Sequence, residues 1–76
     1  MDKYDLSDLN FIVKNDYIIV KNDEKMFIFL IFYNKNTNKR DVLFKEIQGD
    51  KMNLKNVIMI KNIINNIKEY NYYGKI

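Results

Sequence analysis

The sequence predicts an α+β domain spanning residues 1–76: a four-stranded antiparallel β-meander followed by one C-terminal amphipathic helix packed on one sheet face. Three observations carry this. The hexapeptide FIVKND at 11–16 is nearly repeated as IIVKND at 18–23, which reads as two short strands that each end in a turn. Residues 26–33, MFIFLIFY, form an unbroken apolar and aromatic run in a chain otherwise crowded with Lys, Asn and Asp. After Gln48-Gly49-Asp50 the apolar spacing changes from the period of a strand to that of a helix.

The elements follow in order. Asn15-Asp16 suits a two-residue hairpin loop, because both residue types tolerate positive φ, and Asn22-Asp23-Glu24-Lys25 suits a four-residue loop. The third strand is then 26–33, the polar stretch NKNTNKR at 34–40 connects onward, and DVLFKEI at 41–47 is the fourth strand. From 52 to 70, Val57, Met59, Ile60, Ile63, Ile64, Ile67 and Tyr70 gather on one helical arc. Lys55, Lys61, Asn62, Asn65, Asn66, Lys68 and Glu69 gather on the opposite arc, Ile58 is the one apolar intruder there, and Asn53 or Asp50 supplies the N-cap.

With those loop lengths Phe11, Val13, Ile18, Val20, Phe27, Phe29, Ile31, Leu43 and Ile47 share one face, which receives the helix. The other carries Ile12, Tyr17, Ile19, Met26, Ile28, Leu30, Phe32, Val42 and Phe44 and is nearly as apolar. A half-buried strand alternates, whereas 26–33 is apolar on both sides in every register, so each face needs a cover and one helix supplies only one. Ile12, Tyr17, Ile19, Ile28, Leu30, Phe32, Val42 and Phe44 are therefore the expected interface for a second copy, a homo-oligomer with the dimer favoured. The competing cover is intramolecular: Tyr4, Leu6 and Leu9 from the N-terminal segment, or the tail YNYYGKI.

Size points the same way, since a 76-residue domain buries only roughly 60% of its unfolded surface. The usual staples, disulfides and metals, are not expected in a chain with no Cys and no His, which leaves self-association. The same absences exclude a triad or thiol site, and Ser7 and Thr37 are the only hydroxyl nucleophiles of their kind; no catalytic residue, metal or cofactor is expected. Asn34, Asn36 and Asn38 alternate as in half of a calcium loop, but the central Gly and terminal Glu of such a loop are missing. No apolar run approaches the roughly 20 residues a membrane span needs, and MDKYDLSDLN is acidic where a leader is basic, so it reads as a mature start. A reducing cytoplasm suits a small domain without covalent staples.

Charge is unevenly placed. Residues 1–24 hold six acidic and three basic side chains, a net of about −3, which leaves about +6 for the remainder within an overall +3. Lys35, Lys39 and Arg40 in the third connection and Lys55, Lys61 and Lys68 on the helix, with Tyr72 and Tyr73 beyond it, form a candidate polar contact surface. Asp2, Asp5 and Asp8 recur every three residues as a candidate acidic one, the plainer account being a solvated first turn with acids at the positive end of a helix dipole. With a single Arg for reading base edges, a protein target is favoured over nucleic acid. The expectation is a small non-enzymatic binding protein that self-associates and occupies a surface of a macromolecular target; the alternative is a nucleic-acid-binding regulator using the basic side. Asn, Ile and Lys make up almost half the chain, a bias of AT-rich genes that fits an accessory protein of a phage or mobile element, an inhibitor of a host defence or regulatory system.

Overall fold

In the computed structural model, which describes residues 9–22 and 24–70, four strands run in sequence order across one antiparallel sheet. They are β1 (Asn10–Val13), β2 (Tyr17–Lys21), β3 (Met26–Asn34) and β4 (Lys39–Gln48), followed by one helix, α1 (Leu54–Glu69). The ββββα order expected from the sequence is the order found, with strand ends within two residues of the expected positions.

Each hairpin has a local cause. Asn15 and Asp16 form the first loop, closed by the Lys14 amide donating to the Tyr17 carbonyl at 2.9 Å. The Asn22 amide donates to the Lys25 carbonyl at 2.9 Å and sets Lys21 opposite Met26. At the third turn the Asn34 side chain accepts from the Asn36 amide at 2.9 Å, Asn38 takes a left-handed φ of 59°, and the Tyr33 hydroxyl donates to its side-chain oxygen at 2.7 Å. Asn tolerates that conformation better than other residues with a Cβ, which explains its place there.

The core lies between the sheet and α1. Ile18, Val20, Phe27 and Phe29 from the sheet meet Ile63 and Ile67 from the helix, all with no exposed surface. Burial on that scale contributes about 1.5–3 kcal/mol per large apolar side chain. Phe29 and Phe44 meet edge to face, with centroids 5.7 Å apart. The first strand contributes less: Leu9 and Phe11 pack on this core, while Val13 stays half exposed. Tyr70, expected on the apolar arc, is the helix C-cap and is mostly exposed, because the arc runs past the end of the sheet-facing turns.

One expectation about the sheet is corrected. Val42 is buried and Phe44 packs on the core, so both lie on the helix side, and Leu43 takes the opposite face. The cause is a β-bulge: Ile28 pairs with Glu46 and Phe29 with Phe44, which leaves Lys45 as an inserted residue. Strict alternation makes residues 43 and 47 share a face, whereas the insertion lets Phe44 and Ile47, three apart, do so.

Candidate functional site at the open sheet face

The side of the sheet away from α1 carries a regular grid of side chains fixed by the pairing register. Ile12, Ile19, Ile28 and Glu46 form one row across the four strands. Tyr17, Leu30 and Leu43 form the next row, with Lys14 completing it on the first hairpin. Phe32 stands beyond them opposite Asp41, and Asn10, Lys21, Met26 and Gln48 close the other end. None of these side chains is buried: Phe32 and Tyr17 are each 37% exposed and Leu43 43%. No element among the described residues packs on this face, and Leu9, one of the side chains considered as its cover, packs on the opposite side.

Six of the eight residues expected at the interface, Ile12, Tyr17, Ile19, Ile28, Leu30 and Phe32, therefore share the open face, while Val42 and Phe44 do not. Leu43 is the member that sequence reasoning missed. The signal was present in DVLFKEI, where Val42 and Phe44 are two apart but Phe44 and Ile47 three, a spacing that puts all of them on one face only with an inserted residue.

The edges of the sheet are guarded. β1 is four residues long, and β4 carries its bulge with exposed Lys39 and Lys45, all devices that discourage edge-to-edge pairing. The face is left as the route by which the sheet can meet another surface.

The basic residues are not gathered into one patch. Lys35 and Lys39 stand exposed at the third turn, and Arg40, on the helix side, donates through Nη2 to the Asn15 carbonyl at 2.5 Å and ties the two hairpin tips together. Lys68 reaches around the β4 edge to Asp41, at 3.7 Å. Lys61 and Lys68, seven residues apart, share a side of α1, whereas Lys55 lies roughly 20 Å along the axis from Lys68 and about 120° round from Lys61. Tyr72, Tyr73, Asp2, Asp5 and Asp8 lie outside the described residues.

Sequence reasoning also missed a polar cluster at the opposite end of the sheet. Asn56 has no exposed surface; its amide group accepts from Lys25 Nζ at 2.7 Å and donates to Asp50 Oδ2 at 3.0 Å and to the Lys51 carbonyl at 2.8 Å. Its backbone amide donates to the N-cap side chain of Asn53 at 2.8 Å, and Lys25 stands 3.7 Å from Asp50. The cluster joins the second loop, the connection after β4 and the first turn of α1. The hydrogen bond from Asn56, then that from the Lys51 amide, holds the Asp50 carboxyl below its ordinary pKa of 3.8. A shallow cleft of about 370 Å³ beside this cluster is lined by Glu24, Lys25 and Gln48 among others, with both charge signs and no hydroxyl or thiol side chain. Among the described residues no three Asp or Glu side chains converge as metal ligands, and no helix is long and apolar enough to cross a membrane. Compared with family models, with curated proteins and with solved structures, the chain finds no match in any of the three.

Proposed function

We propose that this is a small, non-enzymatic, cytoplasmic binding protein that dimerises through its open sheet face and acts by occupying a surface of a macromolecular target. The observation that carries the reading is the face itself: Ile12, Ile19, Ile28, Leu30, Phe32 and Leu43 side by side with no described element over them. Four strands about 4.8 Å apart and about 20 Å long give roughly 400 Å² in projection, a size at which an apolar patch on a monomer is often functional. With the face closed, the helix side, the hairpin tips and the termini remain for the target. A protein target is favoured over nucleic acid because Arg40 and Lys68 are already engaged within the chain and Lys55 is remote from Lys68. The chain's lack of His and Cys supports the non-enzymatic reading.

The direct test is the double substitution Leu30→Lys and Phe32→Lys, which places two charges on the open face. The expected result is a folded monomer by light scattering and circular dichroism, from a wild type that is a dimer. A double variant that dimerises as tightly as the wild type would refute the assignment of this face.

A further inference from the structure

The distribution of charge around the open face fixes how two copies stack. We propose that they meet as an aligned β-sandwich about a two-fold axis parallel to the strands, so that Glu46 of each protomer sits against Lys14 and Lys21 of the other; this rests on the self-association reading above and specifies its geometry.

On the open face the cationic side chains of β2 and its hairpin with β1 are Lys21 and Lys14, while β4 at the other edge carries Glu46 and Asp41, with Lys39 beyond Asp41 at the start of the strand. Asp41 is paired with Lys68, but Glu46 forms no ion pair among the described residues and accepts only from the Gln48 side chain at 3.1 Å. Lys14 and Lys21 likewise form no ion pair among the described residues. Glu46 shares its row with Ile12, Ile19 and Ile28, so covering the face removes water from a carboxylate with no cation among the described residues.

Two aligned sheets packed face to face as an isologous dimer have two choices of axis in the plane between them. An axis perpendicular to the strands lays β4 on β4 and brings the carboxylates of one copy towards those of the other. An axis parallel to the strands lays β1 on β4 and β2 on β3. Ile19 then faces the partner's Ile28, and Tyr17 its Leu30, while Glu46 lies over Ile12 of the other copy. Lys14 is two residues along from Ile12 and Lys21 diagonal to it across β2, both within reach of the carboxylate for a long flexible side chain. This second arrangement sets Glu46 against two cations at each rim with apolar groups between, whereas the first lays the Lys14 and Lys21 edge of one copy on the same edge of the other.

A charge-swap experiment read by sedimentation equilibrium tests it. Glu46→Lys alone and the pair Lys14→Glu with Lys21→Glu alone should each weaken dimerisation about tenfold or more, and an equimolar mixture of the two should recover an affinity within a few fold of wild type, because both rims are then complementary again. Mixing Glu46→Lys with a Lys55→Glu, Lys61→Glu variant, which has the same net charge as the double rim variant, restores one rim and leaves the other mismatched, so that heterodimer should be clearly weaker than the one with both rims complementary. A mixture as weak as its components, or single variants that dimerise as tightly as wild type, would overturn the axis while leaving self-association standing. A wild type that stays monomeric would overturn both.

Discussion

Asn56 shows how a single polar side chain can hold three segments in place. Its side-chain oxygen and both amide hydrogens are matched by Lys25, Asp50 and the Lys51 carbonyl, so a fully buried amide carries no unmet hydrogen bond. Asn56→Ala should destabilise the protein by about 1–3 kcal/mol in urea unfolding, because it leaves buried groups without partners. The same contact lowers the pKa of Asp50, so the carboxylate's contribution to stability is fully present above pH 3.8 and is lost as the pH falls through the lower folded value. Asn56→Ala should therefore lose less stability than wild type between pH 5 and pH 3, and an equal loss would show that Asn56 does not govern Asp50. Nearby, Gly49 has φ 87°, and a Cβ there would run into the Glu24 carbonyl oxygen, so Gly49→Ala should cost about 2 kcal/mol or more by the same assay. Neither role was legible in the sequence beforehand. Asn is so common in this chain that nothing in the sequence singles out Asn56, and Gly49 read only as a break after β4.

Among the elements, those defined by local pattern were the most legible. The arc of Met59, Ile60, Ile63 and Ile67 marked α1, Asn53, one of two N-cap candidates, is its cap, and the exposed Ile58 is on the polar side where its angle put it. The strand that misled is β4, where the faces depend on one inserted residue whose effect is felt only across the β3 pairing. Deleting Lys45 forces either Val42 and Phe44 or Ile47 to turn away from the core and should cost about 2–5 kcal/mol, as large core truncations do. Lys45→Ala keeps the residue count and should change stability by less than about 0.5 kcal/mol. Equal effects from deletion and substitution, compared by urea midpoint, would mean that the bulge does not set the faces.

For the molecule as a whole, the decisive feature is that β3 is apolar on both sides while the described chain supplies one helix. Phe27, Phe29 and Ile31 are covered by α1; Ile28, Leu30 and Phe32 face the other way. That both faces are apolar was legible in 26–33 before any register was known, whereas membership of the open face needed the register and the bulge. Edge pairing is discouraged at both ends of the sheet, so the proposed association is face to face, with apolar contact at the centre and charge at the rim. The measurement that tests it most directly is the solution mass of the wild-type protein by light scattering over a concentration series at low and high salt. A mass of twice the 9.3 kDa chain that persists at high salt is the predicted result, because the centre of the interface is apolar. A mass of one chain at every concentration and both salt strengths would contradict it.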